Sequence, residues 1–192
     1  ISKPELWQPK RLTKQRPLSL EPSMFAFESL HSERVSLRPT SDEDSYLRDM
    51  KVSHTELEPE IYTTALDFRF HPGKVLLDLC PRNSENRMGG FSIHGFSEDL
   101  TTCEFGYWVL PDYQGKGYVV EAGKLLLKYL FQSQNMARIT LIADIRNKRS
   151  IAVAQHLGFA VEGVLQGKDL VTDDLVTKLV YARYDAEGLN FC

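Results

Sequence analysis

The chain has 192 residues, of which 42% are hydrophobic and 26% are charged, and its formal net charge is −3. This composition is typical of a globular protein and allows one domain with a sizeable core. The negative net charge argues against a nucleic-acid coat, and no apolar stretch of about 18 residues is present that would span a membrane.

The cysteine pattern argues against two kinds of covalent scaffold. Cys80, Cys103 and Cys192 are odd in number, far apart and without Cys-x-x-Cys spacing. Neither a disulfide framework nor a zinc site is expected, and we expect no bound metal. The simplest expectation for the location of the protein is a cytoplasmic, reducing compartment.

The first 29 residues differ from the rest of the chain. Four prolines interrupt any regular element there, and residues 1–22 carry five basic side chains against two acidic ones. We predict an extended arm at 1–29, either a surface strap, a disordered tail or a basic contact for a partner. The remaining residues, 30–192, are predicted to form one domain.

The chain then alternates between strand and helix patterns. A short β pattern at Val35–Arg38 ends at Pro39, and residues 40–44 supply N-cap and acidic residues for a helix to about Met50. Residues 55–70 are ambiguous, and we expect one more helix and a loop there. Further strands are predicted at Val75–Cys80, Met88–His94 and Cys103–Leu110.

The strongest helical pattern runs from about Gly117 to Ser133, with apolar residues on one stripe. After it come a strand at Arg138–Ala143, a short helix at Ser150–Leu157 that Gly158 ends, and strands at Phe159–Leu165 and Leu175–Tyr184. This order predicts an α+β fold around one central mixed sheet, with parallel pairing where the long helix crosses over.

The connection into the long helix is the most informative segment. A strand ends at Pro111, and Gly115 and Gly117 then let the backbone approach a ligand. Free N–H groups at a helix N-terminus bind phosphate or pyrophosphate without charged side chains. The segment matches neither a Walker loop nor Gly-x-Gly-x-x-Gly, so a plain tight connection or another nucleotide-binding α/β protein remains an alternative.

A second segment follows the next strand. Asn147 is a natural N-cap, and Ser150 would lie in the first helical turn with its hydroxyl near the end of the sheet. Leu157-Gly158-Phe159 then turns the chain into the following strand.

Together these segments resemble the GNAT superfamily of acetyltransferases. Gln114-x-x-Gly117 is similar to its coenzyme A pyrophosphate loop, and Asn147-x-x-Ser150, Leu157-Gly158-Phe159 and Glu162-Gly163 are similar to its RimJ/RimL-like branch. Residues 33–39 resemble that branch's opening strand, and residues 104–109 its fourth strand. Where the loop of the family usually has Gly or Ala, this chain has Val119, whose larger side chain leaves less room beside the pyrophosphate.

The resemblance implies a mixed sheet of about six to seven strands flanked by helices, with the fourth and fifth strands splayed apart. Acetyl-coenzyme A (acetyl-CoA) would lie in that gap, with Tyr107 and Trp108 as walls of the gap or core. The residues implied in holding its pantetheine arm and pyrophosphate are Val109, Leu110, Gln114, Gly115, Lys116, Gly117, Tyr118, Val119, Asn147 and Ser150.

The activity that the resemblance implies is N-acetyltransfer, by direct attack of a primary amine on the thioester. The N–H of Val109 or a neighbour would stabilise the oxyanion, and Ser150 would protonate the leaving thiolate. Two carboxylates are candidates for the general base: Glu104 on the fourth strand, and Asp169, at the separation from Ser150 where RimL-like enzymes carry a glutamate.

For the acceptor, we expect a protein or peptide N-terminal amine, which the acidic residues Asp169, Asp173 and Asp174 would attract. A polyamine or an antibiotic is the small-molecule alternative. A catalytically inactive module that binds coenzyme A or a partner is another, motivated by Val119. The sequence leaves open whether the protein is a monomer or a homodimer.

Overall fold

The structure is a computed structural model that describes residues 27–54, 73–168 and 175–189. Most of the predicted arm, the ambiguous segment at 55–70, Asp169 and Cys192 lie outside the described residues.

The described elements follow the predicted order closely. The strands are β1 (Leu30–His31), β2 (Val35–Pro39), β3 (Val75–Pro81), β4 (Gly89–His94), β5 (Thr102–Val109), β6 (Arg138–Asp144), β7 (Ala160–Lys168) and β8 (Leu175–Arg183). The helices are α1 (Glu43–His54), α2 (Tyr118–Gln132) and α3 (Lys148–His156). No described helix is long and apolar enough to cross a membrane.

All eight described strands form one sheet in the order β1-β2-β3-β4-β5-β6-β8-β7. Every neighbouring pair is antiparallel except β5 and β6, which are parallel, as the helical crossover between them predicts. The strand beyond the seven recognised in the sequence is β1, which pairs with β2 through only two residues. The α+β fold with one mixed sheet is therefore confirmed.

Helices cover both faces of the sheet. The stripe on α2 that was predicted from helical spacing is buried, and it joins β-strand side chains in the main core cluster. On the other face, α1 packs Tyr46 and Met50 against Trp108 of β5, with the Tyr46 and Trp108 rings edge to face at 5.2 Å between centroids. Even-numbered residues of β5 thus face α1, and odd-numbered ones face α2 and α3.

The parallel pair β5 and β6 separates along its length. The two strands are paired only at Thr102–Arg138, Cys103–Ile139 and Glu104–Thr140. Beyond Glu104, β5 pairs on one side with β4, and β6 pairs on its far side with β8. The predicted splay is therefore present as a gap between the carboxyl halves of β5 and β6.

Candidate active site

Two glycines with positive φ shape the turn from β5 into α2. A short 3₁₀ turn spans Pro111–Tyr113, and Gly115 and Gly117 then adopt φ values of 71° and 78°. Gly117 is the N-cap of α2, and no described side chain makes a capping hydrogen bond there. The first N–H groups of α2 therefore present the positive end of the helix dipole.

The turn is open on its outer side. Gly115, Lys116 and Gly117 are exposed, and a Cβ placed on Gly115 would meet no atom within 4 Å. A side chain at this position would occupy that open space. Because the residue is glycine, a phosphate group has room to reach the main chain.

The side chain of Val119 lies inside the protein. It is 8% exposed and belongs to the main core cluster between the sheet and α2. The bulk that valine adds, compared with glycine or alanine, is therefore accommodated mainly by the core.

Val109 directs its main-chain groups toward the gap. The N–H of the next residue, Leu110, donates to Met88 just before β4 at 2.9 Å, and the Leu110 carbonyl accepts from the N–H of Tyr113 at 2.9 Å. Since main-chain groups alternate sides along a strand, the N–H and C=O of Val109 point the opposite way, to the side of β6. Both groups of Leu110 are engaged within the protein, whereas the N–H of Val109 faces the gap and its carbonyl accepts there from the side-chain amide of Gln114.

The start of α3 is a capped helix end. The side-chain oxygen of Asn147 accepts a hydrogen bond from the N–H of Ser150 at 3.0 Å, so the predicted N-cap is confirmed. The hydroxyl of Ser150 accepts a hydrogen bond from the phenol of Tyr107 at 3.2 Å. This bond joins β5, on one side of the gap, to the helix that follows β6, on the other.

Tyr107 is a proton donor held in its neutral form. Burial raises the pKa of Tyr107 to about 12, against a smaller lowering by the hydrogen bond with Ser150. A serine hydroxyl that accepts one hydrogen bond still has its own proton to donate. Ser150 can therefore donate its proton while it accepts the hydrogen bond from Tyr107.

Polar and basic side chains lie at the opening of the gap. The amide of Gln114 donates to the carbonyl of Val109 at 3.4 Å, and its oxygen accepts from the guanidinium of Arg149. Lys116 in the turn and Lys148 at the start of α3 are both exposed. An anionic ligand entering between the turn and α3 would meet these three cations.

Glu104 lies at the closed end of the gap, which is the end where β5 and β6 are still paired. Its carboxylate is 29% exposed and lies 3.4 Å from Nε2 of His94, its partner across β4 and β5. Alternation along β5 places Glu104 on the face of α1, whereas Tyr107 and Ser150 lie on the face of α2 and α3. The structure therefore sets Glu104 and Ser150 on opposite faces of the sheet.

Asp169, the other candidate base, lies outside the described residues. Within the described part of the chain, no group of three or more His, Cys, Asp or Glu side chains could hold a metal ion.

Two contacts of this site are not apparent from the sequence. Tyr107, predicted as a wall of the gap or core, also donates to Ser150, and Glu104 lies beside His94. Alternation along β5 does place Tyr107 on the helix-covered face. Its contact with Ser150, 43 residues away, depends on how α3 packs after β6.

Comparison with known proteins adds independent observations. Residues 34–160, more than half of the chain, match the model of the acetyltransferase (GNAT) domain family. The chain is 42% identical over 63 residues to the spermidine N(1)-acetyltransferase of Escherichia coli (strain K12), covering 33% of this chain and 34% of that protein. It is 32% identical over 82 residues to the ribosomal-protein-serine acetyltransferase of the same strain, covering 43% and 46%.

The chain thus spans between about a third and a half of the length of these curated relatives. A solved structure, the ribosomal-protein-S5-alanine acetyltransferase from Vibrio fischeri, matches with a TM-score of 0.66 at 18% identity, covering 86% of this chain and 100% of that one. This likeness shows the fold. The family match, the fold and the ribosomal-protein relatives bear out the RimJ/RimL-like resemblance, and the protein belongs to the GNAT acetyltransferase family.

Proposed function

We propose that the protein is an N-acetyltransferase that moves an acetyl group from acetyl-CoA to the N-terminal amine of a protein or peptide. One observation carries this proposal: the gap between β5 and β6 opens beside a glycine turn at a helix N-terminus. A chain-like donor with a diphosphate suits that pairing, because its extended arm can lie along a strand while its diphosphate meets free N–H groups.

The donor would be held mainly by main-chain groups. The turn from Gln114 to Val119 would bind the diphosphate. Val109 would pair with the pantetheine arm through its N–H and through the lone pair of its C=O that Gln114 leaves free. Leu110 contributes shape rather than hydrogen bonds, because its main-chain groups are used internally. Asn147 caps α3 through its oxygen, which leaves its NH₂ group for the donor.

The chain offers groups for both ends of the reaction. The N–H of Val109 faces the gap and would stabilise negative charge on the acyl oxygen. Ser150 would give its proton to the leaving thiolate, and Tyr107 would donate to Ser150 as negative charge forms there. Acetyl-CoA itself supplies the acetyl group as a thioester.

The amine must lose a proton before or during its attack, so a base is needed on the acceptor's side. Glu104 lies on the face of the sheet opposite Ser150. This suits a base, because the attacking amine and the leaving thiolate lie on opposite sides of the acyl carbon. Glu104 is five residues before Val109, about 17 Å along the strand, so it would act directly on a deeply placed amine or through water on a shallower one. Asp169 is the second candidate for this role.

A protein or peptide acceptor is supported by relatives that are ribosomal-protein acetyltransferases by name. A polyamine is the second candidate acceptor, because the spermidine N(1)-acetyltransferase is 42% identical over its matched segment.

An acetyl-transfer assay tests the proposal. The protein is incubated with acetyl-CoA and either peptides with a free N-terminal serine or alanine, the same peptides with a blocked N-terminus, or spermidine. We expect thiol release with the free peptides alone, and mass spectrometry should locate the acetyl group on the α-amine. Faster transfer to spermidine would favour the second acceptor.

Two outcomes would contradict the proposal. Binding of acetyl-CoA without thiol release on any amine would indicate a module that binds coenzyme A without catalysis. Thermal stabilisation by ATP but not by acetyl-CoA would indicate a nucleotide-binding protein of another kind.

A further inference from the structure

Arg34, in the connection between β1 and β2, reaches across to the glycine turn. Its Nε donates to Oε2 of Glu121 at 2.7 Å, and its Nη1 donates to the main-chain carbonyl of Lys116 at 3.2 Å. The guanidinium also lies over the ring of Tyr118, 5.0 Å from its centroid. One side chain therefore contacts the turn, the first residue of α2 and the first helical turn.

Glu121 anchors this contact. It lies in the first turn of α2 with a side chain 14% exposed, and it also accepts hydrogen bonds from the hydroxyl of Ser32 and the main-chain N–H of Arg34. Burial alone would raise the pKa of Glu121, but the hydrogen bonds from Ser32 and Arg34 outweigh it and hold the pKa below its ordinary value. Glu121 is therefore an ionised carboxylate paired with Arg34 at neutral pH.

The hydrogen bond to Lys116 sets the direction of the next amide. A peptide unit is planar and trans, so its C=O and N–H point in opposite directions. With the Lys116 carbonyl turned toward Arg34, the N–H of Gly117 points away from Arg34. In the sheet, β2 and β6 lie on opposite sides of β5, so Arg34 approaches the turn from the side away from the gap.

The ion pair also matters for charge. Glu121 is at the helix end where a diphosphate would bind, and an uncompensated carboxylate there would repel it. Arg34 neutralises that carboxylate without standing between the turn and the gap.

We propose that Arg34 is a positioning residue for the diphosphate of the donor: it orients the main chain at Lys116 and Gly117 and neutralises Glu121. This inference rests on the proposed binding of acetyl-CoA at the turn. It gives a residue of the connection between β1 and β2 a role in donor affinity that the glycine turn alone does not explain.

The test compares two donors that differ in the diphosphate. Binding of acetyl-CoA is measured by calorimetry, and binding of S-acetylpantetheine, which lacks the nucleotide and its diphosphate, by NMR titration. Arg34→Ala should weaken acetyl-CoA about tenfold and leave S-acetylpantetheine unchanged. The affinity of Arg34→Lys for acetyl-CoA should be intermediate. An ammonium can pair with Glu121, but unlike the planar guanidinium it cannot also donate to the carbonyl of Lys116.

Arg38→Ala is the matched control. Arg38 is an arginine on β2, four residues after Arg34, and it is paired with Glu85 away from the turn, so its loss should change neither affinity. Thermal unfolding of each variant checks that the fold is kept. If Arg34→Ala weakens both donors equally, or Arg34→Ala and Arg34→Lys both bind acetyl-CoA like the wild type, the inference is overturned. If the wild type binds no acetyl-CoA, the proposed function fails and the inference fails with it.

Discussion

Among single residues, Ser150 is the proposed acid, and the hydrogen bond that it accepts from Tyr107 orients its hydroxyl. Ser150→Ala removes the proton donor, so we expect kcat to fall about a hundredfold with little change in the affinity for acetyl-CoA. Tyr107→Phe should lower kcat less, and the double variant should be no slower than Ser150→Ala, because both changes interrupt one route.

The pH profile provides a second reading of the same pair. Because burial raises the pKa of Tyr107 to about 12, its phenol stays protonated and should produce no change in kcat below about pH 11. Tyr107→Phe should therefore lower the whole profile without moving its limbs. An unchanged rate in Ser150→Ala would exclude the serine from the reaction.

The base is the other question at this scale. Glu104→Gln and Asp169→Asn each remove a charge at nearly constant volume, which makes them matched variants. If Glu104 is the base, Glu104→Gln should lower kcat/KM about a hundredfold at neutral pH. Asp169→Asn should then resemble the wild type, and the reverse result would assign the base to Asp169.

At the scale of elements, the glycine turn can be tested against a glycine of the same geometry elsewhere. Gly115 and Gly188 have φ values of 71° and 73°, and a Cβ on either would meet no atom within 4 Å. Alanine at each should cost about 1 kcal/mol of stability from backbone strain alone. Only Gly115→Ala should also weaken acetyl-CoA, about tenfold or more, because its methyl group would stand where the diphosphate approaches.

Calorimetry of acetyl-CoA binding and thermal unfolding of both variants separate these two effects. Equal affinity of Gly115→Ala and Gly188→Ala for acetyl-CoA would place the diphosphate somewhere other than this turn.

The elements themselves were largely predictable from sequence, since their signals are local. Proline ends β2, an asparagine caps α3 and a glycine with φ of 72° follows it, and each signal lies within a residue or two of an observed boundary. The two-residue strand β1 has no periodicity to detect, and only its pairing with β2 defines it. The contacts of Arg34 and Tyr107 join residues 43 to 87 positions apart, which local patterns do not encode.

In the molecule as a whole, the described sheet is continuous except in the gap. We expect β5 and β6 to stay paired at the closed end of that gap in the native protein. Cys103 lies there, paired with Ile139. Burial, and to a smaller extent the charge of the neighbouring Glu104, raises the pKa of Cys103 to about 12. Cys80 is also buried, and burial is the main cause that raises its pKa. A thiol that is buried and protonated reacts slowly.

In a Cys192→Ser variant, we expect neither remaining thiol to react with Ellman's reagent at neutral pH until the protein unfolds. The labelling rate should follow global unfolding in a denaturant series. Prompt labelling of Cys103 in the native protein would mean that β5 and β6 separate along their whole length, so that the gap has no fixed closed end.

In the proposed complex, main-chain groups of the turn and of β5 bind one donor molecule between two diverging strands. A crystal structure of the protein with acetyl-CoA would show whether the donor lies there. We expect diphosphate oxygens within hydrogen-bonding distance of N–H groups between Gly115 and Val119, and the pantetheine arm paired with Val109. Acetyl-CoA bound elsewhere, with the turn and the gap free of it, would show that these main-chain groups do not bind the donor.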